Sequence, residues 1–427
     1  VSNQSIKLHG VYAPPGNARS SSPETGLEPM APLRAARKFP TRIVASISGP
    51  EEELAAVGAG LPAGAARPEA LAARLRARGA ELEWGEPVQI ESLEALLAFC
   101  RERGRSSVEM LRVQPSLAGQ MQVGSWFDGT WRVRALRRLG LRASPLWARR
   151  PTARSPQRIT DLADLAFWLG VAERSSPLEW RRLTRSSYVV LVYHRFAGEA
   201  KPGQERIDIS PGRFRRQLTA LRLAGFRPFS GEEVIAFHDE GALPPRWAVA
   251  ITVDDGTRDC VEPLREAPRW RPQLFVPTRE LGSSAHWLDG EPVASWEEVT
   301  DLAATGVDIG SHGQHHRKLT ELSPEEAAAE IEGSLADLRA KLGNPLPAIA
   351  FPNGGHDAGI CAEAAEAGYA VAYTTEKGRN GIGADRFALR RVSIHAADGA
   401  LAALWKATTG EDLPGPWRRL RERLGNS

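Results

Sequence analysis

Cysteine is scarce. The 427 residues hold three, Cys100, Cys260 and Cys361, far apart and without a Cys-x-x-Cys pair. That excludes a disulfide framework and a zinc knuckle, and mildly favours a reducing compartment. Long apolar runs are also missing: the longest, Tyr188-Val189-Val190-Leu191-Val192-Tyr193, has strand length and falls far short of the roughly 20 residues that cross a bilayer. No membrane span is expected. Neither sign of charge is in excess. There are 55 Lys and Arg against 52 Asp and Glu, a net charge of +3, and aromatics do not alternate with basic residues. A nucleic-acid platform is therefore not expected. The chain has no initiator Met and no basic-then-apolar leader. The missing leader favours a cytoplasmic location, and the missing Met leaves a removed targeting segment open.

What remains is a globular α/β composition long enough for two domains. Residues 1–40, rich in Pro, Gly, Ser and Ala, read as an irregular lead-in. Residues 41–145 read as a small α/β domain. Its strands are expected at Ile43–Ile47, Leu82–Trp84, Pro87–Val88 and Val108–Val113, with one helix over Pro68–Arg78 and another after the N-cap candidate Ser92. Residues 146–186 read as a linker carrying two helices, Ile159–Val171 and Pro177–Leu183. Residues 416–427 read as a basic tail.

From Tyr188 the pattern becomes repeated strand, loop and helix. Strands are expected at Val189–Tyr193, Ala248–Val253, Leu274–Val276, Val307–Gly310, Ala348–Phe351, Ala370–Tyr373 and Arg391–Ile394. The helices between them are Pro211–Ala224, Gly231–Asp239, Trp296–Thr305, Ser323–Leu342 and Ala358–Gly368. Such alternation implies parallel strands with helical crossovers, and about seven units favour a barrel over an open sheet.

Chemistry concentrates just past the strand ends, where barrel enzymes keep their sites. Thr252-Val253-Asp254-Asp255-Gly256 sets two adjacent carboxylates after an apolar run, and Ile309-Gly310-Ser311-His312-Gly313-Gln314-His315-His316 supplies imidazoles at i and i+4. One carboxylate and two histidines can hold a metal ion and leave room for water. Two His and one Asp suit Zn²⁺, and Co²⁺, Ni²⁺ or Fe²⁺ could use the same ligands. Adjacent Asp residues alone would be weak, since at turns they are usually solvated.

Tyr193-His194-Arg195, Thr252 to Gly256, Phe275-Val276-Pro277-Thr278, Ile309 to His316, Phe351-Pro352-Asn353-Gly354 and Gly368-Tyr369 occur in the order seen in polysaccharide deacetylases of carbohydrate esterase family 4. The stretch from about residue 187 to 400 resembles that family. The resemblance implies a distorted (β/α)7-type barrel over 187–415 and metal-dependent removal of N-acetyl groups from amino sugars. It implies that Asp255, His312 and His316 bind the metal and that Asp254 is the catalytic base. Breaking an amide also requires protonation of the leaving amine, for which His395 is the candidate, with a packing role equally open. Contacts to an N-acetylated carbohydrate are expected from His194, Trp287 and the Phe351, Pro352, Asn353 and Gly354 turn, whose backbone N–H could face the oxyanion. For His194 strand capping is the competing reading, and for Trp287 core packing.

The chain departs from the family in two places. Gly313 stands where Ser or Thr usually follows the first histidine, and Ala348 to Pro352 lacks the Arg that orients the catalytic Asp. Either loss could lower activity. Gly85 to Val88, the helix from Ser92, Leu111 to Pro115 and Leu139 to Leu141 resemble part of the GNAT-like fold of enzymes that add amino acids to peptidoglycan bridges, but no Gly-rich coenzyme A loop is present. Three readings follow: an N-deacetylase, a carbohydrate-binding barrel without turnover, and an acyltransferase-type protein with an accessory barrel. The sequence carries no signal for oligomeric state.

Overall fold

The computed structural model describes residues 6–11, 43–48, 51–77, 82–84, 92–144, 156–197, 208–239 and 241–414. These divide into two compact units, Val1–Arg185 and Ser186–Ser427. The extended Pro87-Val88, the tail 416–427 and the lead-in beyond Val11 lie outside the described residues.

The first unit holds a three-stranded sheet. Strand β1 (Ile6–Val11) pairs antiparallel with β2 (Ile43–Ser48) and parallel with β3 (Leu82–Trp84). A strand thus lies inside the expected irregular lead-in. Its alternating Ile6-Lys7-Leu8-His9 is a short period-2 signal beside a long Pro/Gly-rich stretch. The remainder is helical: α1 (Glu51–Val57), α2 (Arg67–Ala77), α3 (Leu93–Val113), α4 (Trp131–Arg142), α5 (Pro156–Arg174) and α6 (Pro177–Arg185). Ser92 caps α3, its hydroxyl accepting the Ala95 N–H.

The strand expected at Val108–Val113 is the last turn and a half of α3. Six residues with alternating polarity fit either period, and the longer spacing of Leu96, Leu97, Cys100, Gly104 and Ser107, all buried on one side, decides for helix. The helices read as linker also belong to this unit. Phe167, Trp168 and Val171 of α5 are fully buried, and α5 crosses α3 at two glycines. A Cβ on Gly104 would lie 2.0 Å from the Phe167 carbonyl oxygen, and one on Gly170 would lie 1.8 Å from that of Arg101.

In the second unit each expected strand forms: β4 (Ser187–Tyr193), β5 (Ala248–Val253), β6 (Gln273–Val276), β7 (Asp308–Ser311), β8 (Ala348–Ala350), β9 (Val371–Tyr373) and β10 (Val392–Ser393). Helices α7 (Pro211–Leu223), α8 (Gly231–Asp239), α9 (Trp296–Ala304), α10 (Pro324–Leu342), α11 (Ala358–Glu366) and α12 (Ala400–Thr409) surround them. The parallel order runs β9, β8, β7, β6, β5, β4, and β10 pairs the free side of β4. Just before β10, Leu389 bridges Tyr373 of β9. Two shorter pairings, Asn380–Gly381 antiparallel to β4 and Arg227–Pro228 parallel to β5, bring the sheet to nine strands among the described residues, and its seven expected parallel strands curl into the α/β barrel.

Alternation along the strands sorts the core into two layers. Val189, Leu191, Val249 and Ile251 pack outward against Phe214, Leu218 and Leu221 of α7. Tyr188, Val190, Ala248 and Ala250 point the other way and meet Phe275, Ala348, Ala350 and Tyr373. Burying each large apolar side chain contributes about 1.5–3 kcal/mol. The period matters for function too, because continuing the inward set past the strand ends reaches His194 after Val192 and Asp254 after Thr252.

Two predictions follow from this packing. Gly170→Ala should lower stability by at least about 1–3 kcal/mol, read as a lower urea midpoint with unchanged slope. Near the base of the barrel, His238 sits edge-on to Tyr188 and Phe237 with its Nε2 2.9 Å from the Tyr188 hydroxyl. Burial, helped by the Arg386 charge, pushes His238 from the ordinary 6.5 down to about 4. The unfolded chain then binds more protons than the folded one between those values. Stability should fall as pH drops from 6.5 towards 4, and His238→Gln should flatten that fall in a thermal-melting series.

Candidate metal centre

At the C-terminal end of β5 the backbone N–H of Asp254 still donates to Tyr193 O at 3.0 Å, so strand pairing holds the first carboxylate in register. Asp255 then turns at φ 72° and Gly256 at φ 63°. A positive φ is costly for Asp and marks a backbone held by its surroundings. It aims the two neighbouring side chains apart.

The Asp255 carboxylate faces the histidines. Its Oδ1 lies 3.0 Å from His316 Nε2 and 3.5 Å from His312 Nε2, and one ligand atom from each of the three lies within 4.8 Å of the others. His312 is fixed at both ends: its backbone N–H donates to Val276 O at 2.9 Å, and its Nδ1–H donates to Ala350 O at 2.6 Å. That hydrogen bond leaves the Nε2 lone pair facing the trio. His316, at φ 57°, stacks on Trp287 with ring centroids 4.3 Å apart, and its buried Nδ1 has no hydrogen-bond partner among the described residues. A buried hard–borderline donor set of this size fits a divalent cation.

The charges fit as well. Burial works to raise Asp255, yet the His312 and His316 imidazoles and the His194 charge hold it well below the usual carboxylate range. Burial works to lower His312, and Asp255 and Asp254 outweigh it in the upward direction. For His316 burial wins and the shift is downward.

Asp254 is held by a different partner. Arg391 donates from both terminal nitrogens to its two oxygens, each at 2.7 Å, and from Nε to Thr374 O at 2.9 Å. Both side chains are at least 96% buried. Against the effect of burial, the Arg391 charge, with His312 and His194, keeps Asp254 below its ordinary value. The Arg missing from the Ala348 to Pro352 segment is therefore supplied by the segment leading into β10, where linear order hid it. The second departure has a counterpart too. Gly313 sits at φ 76° with its N–H donating to Ser311 Oγ at 3.0 Å, so the hydroxyl comes from two residues upstream.

The other expected residues distribute unevenly. His194 lies close enough for its charge to act on both Asp254 and Asp255, and its Nδ1 is buried without a hydrogen-bond partner among the described residues. His395 follows β10 at the same barrel end, where its Nε2 is 3.9 Å from Asp412 Oδ1 and its N–H donates to Asp398. Phe351 is fully buried and donates its N–H to Tyr373 O, and the Gly354 N–H donates to Phe351 O. Pro352 has no N–H, so Asn353, at φ 56°, holds that turn's remaining amide.

The polysaccharide deacetylase family model matches residues 243–372. These residues are a polysaccharide deacetylase domain. The chain is similar to YxkH of Bacillus subtilis (strain 168), a polysaccharide deacetylase by name, at 22% identity over 48% of this chain and 70% of that protein. It is also similar to the poly-beta-1,6-N-acetyl-D-glucosamine N-deacetylase of Escherichia coli (strain K12), at 26% identity over 33% of this chain. The match spans 22% of that relative's length. Among solved structures, Streptococcus pyogenes deacetylase PplD in complex with acetate aligns at TM-score 0.45 and 20% identity, over 51% of this chain and 97% of that one. IcaB from Ammonifex degensii aligns at TM-score 0.44 and 22% identity, over 52% and 97%.

Asp254 depends on Arg391 for neutralisation. Arg391→Met should destabilise the fold by about 3–5 kcal/mol, since it strands a buried charge. The double variant Asp254→Asn/Arg391→Met should be less destabilised than the two single effects summed, as measured by a double-mutant cycle in urea.

Proposed function

We propose that the second unit is a metal-dependent hydrolase that removes N-acetyl groups from amino sugars of a glycan or glycan precursor. The observation carrying this reading is the division of labour between two adjacent buried carboxylates. Asp255 shares its oxygen with two imidazoles, whereas Asp254 is clamped by Arg391 and stands free of that trio. The name of the Escherichia coli relative supports the substrate class.

Asp255, His312 and His316 would hold the ion, with Zn²⁺ best suited to one carboxylate and two imidazoles. When bound, a divalent ion polarises the amide carbonyl and can lower a water pKa from 15.7 to about 7. Asp254, kept ionised by Arg391, accepts the proton of the attacking water at a carboxylate oxygen. The guanidinium also fixes the carboxylate plane, which favours one direction of proton transfer. As the carbon–nitrogen bond breaks, the amine nitrogen takes up a proton. His194, whose charge acts on both carboxylates, fits that donor better than His395, whose Nε2 lies 3.9 Å from Asp412 Oδ1. Trp287 forms a flat wall behind His316 against which a pyranose ring could lie.

A binding barrel without turnover was suggested by the missing Arg and hydroxyl. Arg391 and Ser311 fill both roles, which favours catalysis. The acyltransferase reading gains nothing from the first unit, where one of its expected strands is helix.

The test is acetate release from chitooligosaccharides and N-acetylglucosamine conjugates, with metal content measured on the same samples. Wild type should carry stoichiometric metal and lose activity on chelation. Asp255→Ala should lose both metal and activity, and Asp254→Asn should keep metal while kcat drops about 10²–10⁴-fold. His194→Gln should show a drop of the same order that His395→Gln does not. A wild-type protein with neither metal nor acetate release would overturn the reading.

A further inference from the structure

Between the two histidines of the trio the chain makes an unfavourable turn, with Gly313 at φ 76° and His316 at φ 57°. Left-handed backbone at a residue other than glycine persists only where neighbouring structure holds it. His312 is held from the sheet, through Val276 O and Ala350 O. The loop ahead of His316 is held in part by the segment after β6, where the Thr278 N–H donates to Gly313 O at 3.1 Å and the Arg279 N–H to Gln314 O at 2.9 Å.

Side-chain support comes from α10. Glu330, Ser334 and Asp337 recur at helical spacing and present one polar stripe to the loop. Ser334 Oγ is 2.7 Å from Ser311 Oγ, and Asp337 accepts the Gln314 side-chain amide at 3.1 Å and the Thr278 hydroxyl at 2.8 Å. Glu330 is 3% exposed. Its Oε2 accepts the backbone N–H of Gln314 at 2.8 Å and of His315 at 2.9 Å, and its Oε1 accepts the His315 Nδ1–H at 2.7 Å. All three donors belong to the two residues immediately before His316.

We propose that Glu330 is a positioning residue that sets metal affinity by fixing the backbone ahead of His316. The inference rests on reading Asp255, His312 and His316 as metal ligands. Removing Glu330 takes the shared acceptor from three part-buried donors, so the loop must turn them to water, and the backbone that places His316 moves with them. His312 and Asp255, anchored elsewhere, stay. The site should then fall from three protein ligands to two without loss of the barrel.

The test measures Zn²⁺ and Co²⁺ binding to the full-length, metal-stripped protein by chelator competition, together with the Co²⁺ absorption bands. Glu330→Ala should weaken binding about 10–100-fold and reduce band intensity as a ligand is lost, while far-UV circular dichroism stays native. Glu330→Asp keeps the charge but pulls the carboxylate back by one methylene, and should weaken binding about tenfold. It serves as the deciding variant if the alanine protein does not fold. Folded variants with wild-type affinity and an unchanged Co²⁺ spectrum would overturn the role of Glu330. A wild-type protein that binds neither ion would instead overturn the metal reading beneath it.

Discussion

The second unit depends on one buried ion pair, Arg391 with Asp254. Asp254 ends the second barrel strand and Arg391 leads into the last, and the first strand lies between the two. The bidentate contact therefore ties both neighbours of β4 together over the mouth of the barrel, near the segment around Leu389 where the sheet closes. Two opposite charges buried together satisfy each other, whereas either alone would not survive there unless neutralised. The same contact keeps a carboxylate charged, oriented and away from its neighbour Asp255. Closure of the fold and ionisation of the proposed base thus share a physical cause.

Around that pair the site is the top layer of the barrel interior. Small residues lower down, Ala248, Ala250, Ala348 and Ala350, let Phe275 and Tyr373 fill the centre. Gly310 is part of this fit, since a Cβ there would lie 2.5 Å from the Phe275 ring. Above this plug, alternation delivers polar side chains inward. Their burial is tolerated because each has an assigned partner: Arg391 for Asp254, the two imidazoles for Asp255, the Ala350 carbonyl for His312. The unpartnered nitrogens of His194 and His316 stand out against this background. Unsatisfied polar atoms in a well-packed layer are typical of groups whose partner arrives with ligand.

The first unit follows another plan. Its core is built by α3 and α5 in close approach at Gly104 and Gly170, and it buries charge deliberately. Arg137 is paired with Asp164 and bonds the carbonyls of Ser125 and Trp126 between Trp126 and Trp168. Arg103 reaches Glu69 and Gln122 in the same way. These contacts join residues 11 to 34 apart in sequence and supply specificity where the apolar pattern is diluted by arginine.

The sequence by itself determined the barrel strands, nearly to the residue, because each is an apolar run with turn chemistry on both sides and a helix-period segment after it. It also marked Asp254, Asp255, His312 and His316, since all four lie within two short segments at strand ends. In the first unit it failed where local period was ambiguous: Val108–Val113 fits strand or helix over six residues, and only packing of the preceding turns chose helix. Tertiary structure alone decided which residues complete the site. Arg391 lies 137 positions from Asp254, and Glu330 is 14 residues past His316 on another element. Neither carries a local signal, because an arginine near a strand start and a glutamate in a helix are ordinary. Their roles exist only once the barrel closes and the helix docks, when burial makes each charge choose a partner.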